Sequence, residues 1–262
     1  MDNNISKIIR TTIENSITKY FKNKKVKTTH FLDELFPKER RIRSIMGGLE
    51  TSLGTQLWEP LANAFAKYNG FEIKDVKKFN EKVPVLPDNI TNLIANWEKQ
   101  KNVNPSLSHK VFINELRKSL DSIDYNNLSF QKIPKGEGID IWISKNNIEY
   151  MYDIKTNQIN AGSGPKFNRN ILNWYAYRLI MDSSINLECK LAFPFNPHNE
   201  NFWLKEKGKI SPLIPQEEAV VGDEFWNFLL GKENSTQLIF DSFKILGKEG
   251  FANKFNDIFE IK

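Results

Sequence analysis

Asp140, Asp153 and Lys155 are the residues in this chain whose types and spacing can do chemistry together. The runs 138–144 (GIDIWIS) and 148–155 (IEYMYDIK) are rich in Ile, Tyr and Trp and are joined by Lys145, Asn146 and Asn147, the pattern of a β-hairpin. With Asn146 and Asn147 as the central turn residues, Lys145 pairs with Ile148, and counting back sets Asp140 directly across from Asp153. Opposed residues have Cβ atoms about 4.5–5.5 Å apart, and like charges there repel. A cation between them reverses the sign of that term. Magnesium takes a few carboxylate oxygens, keeps several waters and is completed by substrate phosphate, which suits two aspartates at a partly open sheet end. Lys155, two residues beyond Asp153, projects to the same side, while Tyr150, Tyr152 and Ile154 project to the other. An ammonium placed there orients a water and offsets charge gathering on a phosphate. Phosphodiester hydrolysis needs no more than this, and neither histidine nor cysteine is required.

An acid-x-lysine triplet is by itself a weak signal, since it recurs at Glu72-Ile73-Lys74, Asp75-Val76-Lys77, Glu188-Cys189-Lys190 and Glu260-Ile261-Lys262. The triplet at 153–155 differs in having an aspartate across from it on a predicted hairpin and a polar, Gly-containing loop after it. The plain alternative is a hairpin whose exposed acids and lysine satisfy one another. His30, His109 and His198 are too scattered for a metal or a nucleophile relay, and the six tryptophans are expected in the core.

The elements that must position these residues follow from apolar spacing. Ile5, Ile8, Ile9, Ile13, Ile17 and Phe21 predict a helix over 4–22, and a second helix is expected over 31–46. Leu49, Leu53, Leu57, Leu61, Ala64 and Tyr68 predict a helix over 49–68, kinked at Gly54 or Pro60 and stopped by Asn69-Gly70. The stretch 71–77 reads as a strand, and 89–100 and 108–120 as helical pieces of a polar insertion. After the hairpin, 156–165 is a loop, Pro165–Met181 a helix, and the alternation of Leu187, Cys189, Leu191, Phe193 and Phe195 a strand. The order is helix, strand, hairpin, helix, strand, an α/β (α+β) arrangement.

Composition sets the outer limits. At 262 residues with 40% hydrophobic and 26% charged residues, the chain has the makeup of a folded globular protein. It lacks a membrane-length apolar run and a signal-peptide start, so a cytoplasmic protein with no membrane partner is expected. Cys189 is the only cysteine, which excludes an intramolecular disulfide and a cysteine cage for zinc. The net charge of +5, concentrated in part at Lys19, Lys22, Lys24, Lys25 and Lys27, allows a polyanion partner, but for that cluster taken alone a solvated lysine-rich helix end is the preferred reading.

Asp140, twelve intervening residues, then Asp153-Ile154-Lys155 resembles the PD-(D/E)xK nuclease superfamily, with Ile139 standing where the eponymous proline would be. GGLETSLGTQLWEPLA at 47–62, GIDIWI, YDIKTNQINAG and VGDEFW at 221–226 resemble type II restriction endonucleases recognising GGNCC. The resemblance implies a restriction-endonuclease-like core, a mixed β-sheet flanked by helices. It further implies a single endonuclease domain over 1–262, with 1–46 as an N-terminal helical layer and 88–127 as a helical insertion. The implied cofactor is Mg2+, and the implied partner is double-stranded DNA bound by a homodimer. A glutamate of the first core helix often completes the metal shell in such proteins. That suggests Glu59, with Glu50 the runner-up; on an unbroken helix Glu50 lies near the apolar stripe and Glu59 opposite it.

DNA reading needs side chains that reach base edges, Arg or Lys for guanine and Asn or Gln for adenine. Asn157, Gln158, Asn160, Lys166, Asn168, Arg169 and Asn170 follow the catalytic strand directly, and Gly162 and Gly164 would let the segment follow a groove closely. Arg169 and Lys166 are the guanine candidates. A less specific repair or structure-selective nuclease on the same core, and a basic DNA-binding protein without catalysis, are the competing readings.

Overall fold

Alternating apolar residues build the central hairpin. Strand β4 (Ile141–Lys145) pairs antiparallel with β5 (Ile148–Ile154), from Lys145 opposite Ile148 to Ile141 opposite Tyr152. Asn146 and Asn147 have φ of 53° and 60°, the left-handed pair of a type I′ turn, whose twist matches the strands it joins. The predicted turn and register are therefore those observed. The structure is a computed structural model and describes residues 3–22, 24, 30–121, 123, 125–155 and 159–259. Asn157, Gln158, Lys25 and Lys27 lie outside the described residues.

The chain begins with α1 (Asn3–Phe21), α2 (Leu32–Leu35) and α3 (Pro37–Leu53). A π-helical turn (Gly54–Trp58) then joins α3 to α4 (Glu59–Tyr68). Two short strands and a short helix follow: β1 (Glu72–Ile73), α5 (Val76–Glu81) and β2 (Val83–Pro84). Next come α6 (Asp88–Val103), α7 (His109–Leu120) and β3 (Phe130–Gln131), ahead of the hairpin. After it come α8 (Gly164–Met181), β6 (Asn186–Phe193), α9 (Phe202–Ile210), β7 (Ala219–Val221), α10 (Asp223–Leu230), α11 (Ser235–Lys248) and α12 (Asn256–Phe259). The main sheet runs β1-β4-β5-β6-β7, antiparallel through β5 and parallel from β5 to β7, and β2 and β3 form a separate pair. This is the mixed sheet flanked by helices that was expected.

Period-two alternation divides the core between the two sheet faces. Met151, Leu187, Cys189, Leu191 and Phe193 pack with residues of α6, α7 and α8. Ile141, Ile143, Tyr152, Ile154, Ala192 and Val220 pack with α1, α3, α4, α10 and α11. No helix among the described residues is long and apolar enough to cross a membrane.

Three expectations are corrected. The single helix expected over 31–46 is broken at Phe36 into α2 and α3, and α3 runs on past Gly47-Gly48 to Leu53; a Cβ at Gly48 would meet the Tyr20 hydroxyl, so that glycine admits α1. Instead of a kink at Gly54 or Pro60 there is the π turn, in which the Glu59 N–H donates to the Gly54 carbonyl. The strand expected over 71–77 is only Glu72–Ile73, because the Asp75 carboxylate accepts from the Lys78 N–H (2.9 Å) and starts a helix.

Candidate active site at the end of the central hairpin

The β4–β5 ladder ends at Ile141 and Tyr152, and Asp140 continues it by one step. Its N–H donates to the Tyr152 carbonyl (2.8 Å), while its Oδ2 accepts from the Ile154 N–H (2.8 Å). That brings Asp140 against Asp153. The peptide before Asp140 is clamped from α5: Asn80 Nδ2 donates to the Ile139 carbonyl (2.9 Å), and the Ile139 N–H donates to Asn80 Oδ1 (3.1 Å). A Cβ at Gly138 would lie 2.7 Å from that Asn80 oxygen, so the glycine is what admits the clamp. Sequence reading did not find Asn80, because nothing in KKFNE distinguishes it from a solvated helix residue.

Asp153 is 3% exposed, and its Oδ1 pairs with Lys155 Nζ at 2.6 Å. The Lys155 backbone is fixed by its N–H bond to the Ala192 carbonyl (2.8 Å). Burial holds the Asp153 carboxyl well above the usual range; Lys155 opposes the shift, and Asp140, within hydrogen-bonding reach of it, adds to it. Two carboxyls in contact are favourable only with a shared proton or a cation between them.

Glu59 opens α4, whose apolar face packs in the layer on the opposite side of the sheet from α8. Its carboxyl nevertheless feels both aspartates. Burial first, then the charges of Asp140 and Asp153, raise its pKa to about 7. Glu50 is exposed on α3. The structure thus brings Asp140, Asp153 and Lys155 together, sets the Glu59 carboxyl near enough to feel both aspartates, and leaves Glu50 exposed on α3. The π turn closes on an i→i+5 bond, from the Glu59 N–H to the Gly54 carbonyl, and the extra residue it adds explains why projection on a regular helix could not place Glu59.

Among the described residues, no three acid, histidine or cysteine side chains form a ready-made metal cage. The donor set still fits magnesium. One oxygen of each aspartate is held by the protein, Oδ2 of Asp140 and Oδ1 of Asp153, so each offers its other oxygen. Magnesium needs only one or two carboxylates and keeps several waters.

The segment after β5 departs from expectation. Asn160, Lys166 and Arg169 are exposed, but Asn168 (1%) and Asn170 (2%) are buried, so neither side chain is presented at the surface. Asn168 Oδ1 is bonded to His109 Nε2 (2.8 Å). Arg169 is held by the Glu98 carboxylate of α6, with Nε at 2.8 Å from Oε1 and Nη2 at 2.5 Å from Oε2. Gly164 is likewise needed for packing: a Cβ there would run into the Ser211 carbonyl.

A mixed sheet carrying two touching aspartates and a lysine at one strand end defines a nuclease-like site, and the comparisons specify the class. Residues 1–247 match the family described as "Type II restriction endonuclease, HinfI", and the chain belongs to that family. It is also similar to "Type II restriction enzyme MjaII" of Methanocaldococcus jannaschii, at 25% identity over 223 residues. The match covers 80% of this chain and 56% of that relative, so the chain spans little more than half the length of the curated relative it matches.

Proposed function

We propose that this chain is a PD-(D/E)xK endonuclease that makes magnesium-dependent double-strand cuts at a short palindromic DNA site, GGNCC by its resemblance. The contact between the buried Asp153 and Asp140 beside Lys155 carries the reading, together with family membership. Residues 1–262 act as one endonuclease domain, with 1–46 as a helical layer and 88–127 as an insertion.

Asp140 and Asp153 would hold the cation, with Glu59 completing its surroundings. When bound, it would relieve their repulsion and supply Lewis-acid assistance to hydrolysis of the scissile phosphate. Lys155 Nζ orients the attacking water and offsets the charge that builds on the phosphate. The Glu59 carboxyl, titrating near neutrality, accepts or returns a proton at its own oxygens. Lys166 and Asn160, both exposed, are the available groups for base edges or phosphates; Arg169 joins them on leaving Glu98. Two such sites in a homodimer match the two equivalent phosphates of a palindrome.

Plasmid incubated with the protein and magnesium gives discrete fragments on this reading. A smear would indicate the less specific nuclease, and intact plasmid with retained binding a non-catalytic DNA-binding protein. Light scattering of the complex with cognate duplex should show two chains per duplex; a one-to-one ratio would contradict the dimer.

A further inference from the structure

Lys155 Nζ has a second neighbour besides Asp153. It lies 5.6 Å from the centroid of the Phe167 ring, within the distance at which a cation is drawn to an aromatic face. The ring comes from α8, not from the sheet, and it is partly buried against the core cluster on that side.

Three constraints fix the turn of α8 that carries it. Gly164 sits where any side chain would collide with the Ser211 carbonyl, the Phe167 N–H donates to the Ser163 carbonyl (3.1 Å), and neighbouring Asn168 is tied to His109. The ring therefore has a set position relative to the end of β5. Its chemistry also suits the place. A second carboxylate there, added to Asp153, would neutralise what remains of the ammonium's charge, and an aliphatic group would offer it no attraction. An aromatic face holds the cation and leaves its charge available to a phosphate.

We infer that Phe167 is a positioning residue that holds the Lys155 ammonium at the scissile phosphate through the face of its ring. This rests on the proposed role of Lys155 in cleavage. Phe167 itself touches no reacting atom. Its effect should fall on kcat, leaving DNA affinity and stability unchanged.

The experiment replaces Phe167 with mono-, di- and trifluorophenylalanine, which drain the ring face of negative charge at nearly constant shape. Single-turnover cleavage in magnesium, duplex binding in calcium and the thermal unfolding midpoint are measured for each. The cleavage rate should fall stepwise, by roughly two- to thirty-fold across the series, with binding and midpoint unchanged. Phe167→Leu, which keeps an apolar side chain in the same packing, should fall at least as far. Lys155→Ala is measured alongside. If it is inactive while the fluorinated series is flat, or if the rates merely follow the midpoints, the positioning role is overturned. If Lys155→Ala cleaves normally, the role of Lys155 has failed and this inference with it.

Discussion

Two clusters of buried charge in this protein are built on opposite principles. Between α6, α7, α8 and the segment leading into β7, Lys101 is fully buried, and its Nζ lies 2.9 and 2.8 Å from the two oxygens of Glu218. Lys101 also donates to the Leu107 carbonyl, and Glu218 accepts further from the N–H groups of His109 (2.9 Å) and Ile214 (2.9 Å). There one cation meets one anion, and backbone groups fill the rest. At the end of the hairpin, Asp153 pairs with the Lys155 ammonium and touches Asp140, the Glu59 carboxyl feels the charge of both aspartates, and two of the three acids are held above their ordinary range. A saturated cluster stabilises position, whereas one with surplus negative charge is arranged to receive something positive.

The sharpest break in this comparison is functional. Asp140→Ala and Lys155→Ala should each lower cleavage by about 10²–10³-fold or more, while the circular-dichroism spectrum and unfolding midpoint stay near wild type. Either variant retaining near-native rates, with contaminating nuclease excluded, would take that residue out of the site.

The saturated cluster should respond in the reverse way. Lys101→Met leaves Glu218 buried without its counter-ion and should cost about 3–5 kcal/mol in urea unfolding, because breaking a buried pair strands a charge. The molecules that remain folded should cleave normally. Adding Glu218→Gln to Lys101→Met should recover much of the loss. A cost below about 1 kcal/mol would mean that Glu218 is already neutral or reaches water, and the contrast between the two regions would weaken.

The unsaturated cluster was the more legible in sequence, for a local reason. A period-two pattern and an Asn-Asn turn fix the hairpin register within sixteen residues, and the register places Asp140 by Asp153 and Lys155. Glu59 came from resemblance and not from periodicity, since a π turn adds a residue to the helical repeat. The burial of Asn168 and Asn170 was not legible, because the residues that cover α8 come from α6 and α7, far back in the chain; His109, which bonds Asn168, is 59 residues earlier. The Arg169–Glu98 pair was hidden for the same reason. Asp75 was legible in principle as a helix cap, but the apolar alternation of FEIKDV masked it.

Acid titration offers a finer contrast. Burial first, and then the charge of Lys101, push the His109 imidazole down from its ordinary 6.5 to about 3, against the opposing Asn168 bond and the Glu217 charge. Between those values the unfolded chain binds a proton that the folded chain refuses. The stability from a neutral His109 is therefore complete above about pH 6.5 and is lost as pH falls towards 3. Glu218, raised by burial, acts with the opposite sign, so His109→Gln is the proper reference. The stability of wild type relative to that variant should decline by about 1.4 kcal/mol per unit as pH falls below 6.5. A constant difference would show that His109 takes up its proton without unfolding.

Glu59 should show the smallest effect and the opposite sign. Its folded pKa is raised from 4.5 to about 7, so between those values the folded chain keeps a proton that the unfolded chain has released. The favourable contribution is complete below about pH 4.5 and is lost as pH rises through 7. Above that, Glu59 is an added negative charge beside Asp140 and Asp153. In the absence of divalent cations, Glu59→Gln should gain stability over wild type as pH rises from 5 to 8. Because Glu59 is only half-buried, solvent screening keeps the gain to roughly 0.5 kcal/mol. Magnesium should then reverse the ranking at pH 8, since a ligand that binds only the folded state stabilises it by mass action and wild type offers the fuller set of carboxylates. A flat pH difference for Glu59→Gln would separate Glu59 from the aspartates. Equal stabilisation of both proteins by magnesium would leave Asp140 and Asp153 as the whole of the cation site.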